Sequence, residues 1–301
     1  MLEELTQLWG VSGRERRVSD YIIDQVMPYA DEIKRDAMGN VIALKKGSGE
    51  KKKKIMTAAH MDEIGLSVVK ILDNGLLLVK KVGGVSPYIA YMNRVQFANG
   101  VTGCVSNNKN IQDIKPNEID QLYIDIGAKD KEEAAKYIHI GDCASFLGEY
   151  TKLVGDNVMS KAFDDRSACY IQIEALKQLE DVYHDVYFVF TVQEEVGLFG
   201  STTSAESIDI TGSFDIPGDD FGNPVLGKGA AIKINDSSVI CDELMTRALI
   251  DCAKEDKIPY QLDALRAGGT DAGAINKSNG GVKVLGISIP TRYAHTPHSI
   301  I

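Results

Sequence analysis

The spacing of apolar positions along the 301 residues changes texture twice. In the first 64 residues, Val18, Tyr21, Ile22 and Val26 fall on one helical face. Ser12 can cap that helix, Glu15 follows three positions later and Pro28 ends it, so a helix is predicted over 12–27. Two short strands, 41–44 and 55–59, follow polar turns. From about Leu66 to Val154 the chain becomes a succession of β runs: 66–72, 76–82, 94–97, 101–105 and 122–126. Asp73-Asn74-Gly75 and Asn99-Gly100 supply hairpin signals, and only 129–137 reads as helical. From Met159 strands and helices alternate. The predicted helices are 165–179 (with Ala168, Ile171, Ala175 and Leu176 on one face), 242–254 and 270–275. The predicted strands are 185–192, 231–234, 261–263 and 282–289.

This pattern predicts an α/β fold, a mostly parallel sheet covered by helices. The α/β unit is split into 1–64 and 157–301, and a β-rich, barrel-like insertion occupies 65–156. No internal repeat or low-complexity tract interrupts either unit.

The strand Asp185–Val192 has six apolar residues in eight and no polar alternation, so it is expected to be buried on both faces at the centre of the sheet. It ends in Glu194-Glu195, at the strand end where ligand crevices open in α/β folds. Two adjacent carboxylates there repel unless a cation or a proton intervenes. Three other predicted strand or helix ends carry metal-type ligands. His60 and Asp62 share a face of their strand, and Asp62 can fix the tautomer of His60. Asp164 and Asp165 sit before a helix, while His295 and His298 flank a proline-bearing turn. Singly, each has an ordinary reading: a core histidine beside a surface aspartate, an N-cap, a solvent-facing turn, a surface loop. Together they form a donor set suited to divalent ions.

Composition narrows the partners. A net charge of −10 argues against nucleic acid and anionic membranes, and the Lys51–Lys54 run reads as a solvated strand entry. The acidic N-terminus lacks the features of a signal peptide, and no apolar run is long enough to span a membrane. Five cysteines without a CxxC pair read as reduced thiols, so a cytoplasmic location is expected.

The motifs AHMDEIG, KAFDDR, VQEEVGLFG, Ile208-Asp209-Ile210-Thr211, AGGTDAGAI and IPTRYAH occur in that order. With GVSGRE, DAMGN and IDIGAKDKEEA, they resemble the tetrahedral or glutamyl aminopeptidase family of dinuclear metallopeptidases over nearly the whole chain. The resemblance implies two divalent ions per subunit, zinc or cobalt, bridged by Asp164. His60 and Asp209 would complete one ion's protein ligands, and Glu195 and His295 the other's. Glu194 would be the general base and acid, Asp62 would orient His60, and a cis peptide would follow Asp164. The substrates would be peptides cleaved at their first residue. The insertion would serve dimerisation, with dimers assembling into a twelve-subunit shell.

The chain departs from the family in two places. Thirteen residues separate Glu195 from Asp209, where the family has a longer segment, so Asp215 stands as an alternative ligand. The family also continues past the position of Ile301 into a closing helix, so further residues are expected there. Arg266 is a candidate reader of acidic substrate side chains, or else a surface arginine. Two other functions compete: a glycosidase, for which adjacent Glu194 and Glu195 cannot easily flank a glycosidic bond, and a non-catalytic shell or scaffold protein. A carboxypeptidase or deacylase would use the same metal chemistry.

Overall fold

The computed structural model describes residues 1–107, 113, 121–197, 207–217, 224–265 and 268–301. Its larger sheet has eight strands in the order Glu32–Arg35, Val41–Lys45, Asp185–Thr191, Lys54–His60, Ser207–Gly212, Gly286–Thr291, Ala230–Asn235, Tyr260–Ala264. The four strands from Asp185–Thr191 to Gly286–Thr291 run parallel, with Thr191 opposite His60 and Thr211 opposite Pro290. Antiparallel pairings occur toward the two sides, so the sheet is mixed with a parallel centre. Parallel neighbours deliver their carboxyl ends to one edge, and that edge is where the chemistry-bearing residues gather.

Both faces of the centre are covered, which explains the unbroken apolar run of Asp185–Thr191. One face buries Phe188 and Phe190 against Leu5, Val18, Ile22, Ala168, Ile173 and Leu176. The other buries Val189 and Ala58 against Ala272, Ile275 and Val284. Burying a side chain such as Phe190 contributes about 1.5–3 kcal/mol, so the carboxyl-end loops stand on a rigid base.

Six strands, Gly65–Ile71, Leu77–Val82, Arg94–Phe97, Thr102–Ser106, Tyr123–Asp125 and Cys143–Phe146, close into a barrel. Leu66, Leu77, Val79, Val95, Phe97, Val105 and Ile124 fill it. Closure removes the exposed edges that so many short strands would otherwise leave. A small third sheet joins Thr151–Lys152, Val158–Ser160 and Ser299–Ile300, tying the chain after the barrel to the turn that carries His295.

Several local expectations change. The early helix is Arg16–Val26, and Ser12 does not cap it because its hydroxyl donates to Asp62 instead. The helix expected at 129–137 shrinks to Lys131–Ala134, capped by Asp130. Within Phe163–Gln178 the buried face runs through Ala168, Cys169, Gln172, Ile173 and Leu176, so Ile171 and Ala175, expected on it, are exposed instead. The last long strand begins at Gly286 rather than Val282. A helix at Leu2–Gln7 and the edge strand Glu32–Arg35 went unforeseen; both are short and lack strong periodicity.

Candidate active site

Asp164 is the centre of the site. The chain reaches it from Val158–Ser160 and passes through a cis peptide to Asp165 before the helix continues. Its Oδ1 lies 3.0 Å from Nε2 of His60, at the end of strand Lys54–His60, and its Oδ2 lies 3.0 Å from Nε2 of His295. Two groups of ligand atoms therefore share Asp164. His60, Asp164 and Asp209 have atoms within 4.8 Å of one another, and so do Asp164, Glu195 and His295. Glu194 reaches to 3.8 Å from His60 Nε2, and Glu195 to 3.7 Å from His295 Nε2. His60, Asp62, Asp164, Glu194, Glu195, Asp209 and His295 thus meet at one end of the sheet, while His298, also expected from the sequence, is exposed and stands outside both groups. Asp215 does not join them: its carboxylate takes the Nε–H of Arg292 at 2.9 Å and the hydroxyl of Ser213 at 2.8 Å.

Asp62, fully buried, holds the doublet in place. Its two oxygens accept the backbone N–H of Glu194 (3.0 Å) and of Glu195 (3.2 Å). Oδ1 also stands 3.3 Å from His60 Nδ1, a polar contact rather than an aligned hydrogen bond. Asp165 accepts the backbone N–H of His60 at 3.1 Å. On the far side, Glu15 accepts the N–H of Gln193 at 3.2 Å. Sequence reasoning missed Ser12, Glu15 and Asp165 as supports. Their only signal was membership of the GVSGRE and KAFDDR motifs, since helix-start chemistry explained each of them equally well.

The electrostatics are those of an anion cluster short of positive charge. Burial, then the charge of Asp164, raises Glu195 to about 7, and the same two causes raise Asp209 to about 7. Burial also lifts Glu194 well above the carboxylate range, with Asp209 and Asp271 adding to the shift against His60. Burial opposes the His60 cation, but Glu194, Asp164 and Asp62 together outweigh it and raise its pKa well above normal. The Asp164 contact raises His295 to about 9. Crowded buried carboxylates raise one another's pKa, and an opposite charge among them lowers it again.

The backbone is unusual at the same place. Ala162, Gln193, Tyr293 and His295 all adopt left-handed φ between 53° and 59° without being glycine. Such conformations cost of order 1–3 kcal/mol each and gather at functional sites. Here they lie within two residues of Asp164, Glu194, Glu195 or His295, or at His295 itself. That space is a cavity of about 700 Å³, lined by His60, Asp164, Glu194, Glu195, Asp209 and His295 together with Ile210, Phe214, Leu265 and Ala294. Arg266, the candidate acid reader, lies outside the described residues.

Residues 39–301 match the M42 glutamyl aminopeptidase family. The chain belongs to that family. It is 46% identical to an aminopeptidase-like protein of Acetivibrio thermocellus over 99% of this chain and 91% of the relative. The aminopeptidase APDkam598 of Desulfurococcus kamchatkensis superimposes with a TM-score of 0.94 at 38% identity, covering 100% of this chain and 88% of that one. The TET1 peptidase of Pyrococcus horikoshii, which can assemble into a tetrahedron or a large octahedral shell, superimposes at 0.85 with 33% identity, covering 100% and 93%. The α/β fold with a barrel is thus that of TET and M42 aminopeptidases. Among the described residues, no helix is long and apolar enough to cross a membrane.

Proposed function

We propose that this M42 chain is a metal-dependent aminopeptidase that removes the first residue of peptides. The observation that carries the reading is the bridging posture of Asp164, with one oxygen 3.0 Å from each of two histidines. Two imidazoles and three carboxylates suit zinc or cobalt. His60, Asp164 and Asp209 would hold one ion, and Asp164, Glu195 and His295 the other. The crowding of Glu194, Glu195 and Asp209 around Asp164 fits that donor set, because a resident cation offsets their mutual repulsion. When bound, the two ions would supply an acidified water and polarise the scissile carbonyl.

The chain's own residues do the rest. Glu194 accepts the proton of the attacking water and returns it to the departing nitrogen. Asp62 orients His60, and through the N–H groups of Glu194 and Glu195 it keeps the base and a ligand in register. Ile210, Phe214 and Leu265 give the cavity an apolar wall that excludes water around the reacting bond.

The unit formed by 1–64 and 157–301 would carry the catalysis. The 65–156 unit would mediate dimerisation, and dimers would build a dodecameric shell of the kind described for TET1 relatives. A closed shell admitting only unfolded peptides suits an exopeptidase in the cytoplasm. The decisive experiment is hydrolysis of an aminoacyl-anilide panel after exhaustive chelation. Activity should disappear and return with zinc or cobalt, and full activity in the metal-free protein would overturn the reading.

A further inference from the structure

Three charged residues of the AHMDEIG and KAFDDR motifs take no part in this chemistry: Glu63, Lys161 and Arg166. All are buried, Arg166 completely. Lys161 Nζ donates to Glu63 Oε2 at 2.7 Å and to the carbonyl of Leu8 at 3.2 Å. The guanidinium of Arg166 lies 3.7 Å from Glu63 Oε1 and donates to the carbonyls of Leu5, Leu8, Gly10 and Met61. Glu63 also accepts the N–H of Gly10 at 3.0 Å and the hydroxyl of Ser145, from the barrel, at 3.2 Å.

Sequence position gives this cluster its significance. Glu63 follows Asp62 directly, while Lys161 lies three residues before Asp164 and Arg166 two after it. One carboxylate thus ties both flanks of the Asp164 segment to the Asp62 turn. The segment Gly10–Ser12 braces the same turn from outside. The N–H of Glu63 donates to Gly10 at 3.1 Å, the N–H of Ser12 donates to Glu63 at 3.2 Å, and the Ser12 hydroxyl bonds Asp62. Gly10 is required for this approach, because a Cβ there would sit 2.7 Å from Arg166.

We propose that Glu63, clamped by Lys161 and Arg166, is a positioning residue that sets the spacing between Asp62 with His60 on one loop and the bridging Asp164 on the other. This inference rests on the metal-dependent reading above. A charged cluster serving stability alone would be replaceable without cost to the metal centre, since buried ion pairs are often no better than apolar packing. A positioning cluster predicts instead a loss of metal affinity, and outer-shell supports typically account for about 10–100-fold.

The test uses the full chain as Glu63→Gln, Lys161→Met and the double variant. Zinc affinity is measured by competition with a chromophoric chelator, and melting of the metal-free protein is followed separately. Each single variant should lose zinc affinity by about 10–100-fold, and by more than its change in melting predicts. The double variant should lose no more than either single one, because both act through one contact. If Glu63→Gln does not fold, Lys161→Met, which leaves no buried cation without a partner, carries the comparison. Variants that melt earlier yet bind zinc like the parent would reduce the cluster to a structural role. A parent chain that binds no zinc would refute the metal-dependent reading itself, and this inference with it.

Discussion

At the scale of single residues, geometry sets two adjacent glutamates against different partners, and the proposed roles follow from that difference. Glu195 lies beside His295 and Asp164, whereas Glu194 lies beside His60, and both line the cavity. Glu194→Gln should therefore retain zinc but lose about 10²–10⁴-fold in kcat. A near-normal rate with stoichiometric metal would remove Glu194 as the base. Asp215 gives a pH prediction away from the centre. Its bond with Arg292 holds the carboxyl down at about 2, below an ordinary 3.8. A depressed folded-state pKa contributes stability above the unfolded value and loses it as pH falls through the folded value. Asp215→Asn should accordingly cost about 1 kcal/mol at neutral pH, discounted for partial solvent screening. That difference should fade between about pH 4 and pH 2, as followed by urea unfolding across that range; a constant difference would contradict it.

At the scale of elements, parallel strands and left-handed turns act together. The strands Lys54–His60 and Asp185–Thr191 end level, and the left-handed Gln193 then turns the doublet toward His60. The barrel also touches the centre. After strand Leu77–Val82, Gly84 passes so close to His295 that a Cβ would lie 2.4 Å from Nδ1. Gly84→Ala should displace that imidazole and cost roughly 10²-fold in kcat/KM, the scale of a misplacement near 1 Å. Melting should change little, since the clash falls on a partly exposed side chain. An unchanged rate would show that His295 has room to move. Neither the turn conformation nor this approach could be read from sequence, because both arise between segments far apart in the chain.

At the scale of the whole molecule, metal binding and folding should be linked. The proposed ligands come from segments around 60, 164, 195, 209 and 295, so the set exists only in the folded chain. Zinc at 100 times its Kd should add roughly 2.7 kcal/mol per site and raise the melting temperature by several degrees. Calorimetry with and without zinc checks this, and an unmoved transition would contradict a site assembled by folding.

The residue types were legible early because buried strands advertise themselves by unbroken apolar runs, and polar groups at their ends stand out against them. The α/β character and the barrel-like insertion followed from periodicity and turn chemistry, which are local properties. Tertiary structure alone decided the rest. It resolved Asp215 into an ion pair with Arg292, turned Ser12 and Glu15 from helix-start residues into braces, and brought Asp209 beside His60 and Asp164. These outcomes depend on which strands become neighbours. That choice is made by the burial of two opposed core faces and is not carried in any one segment.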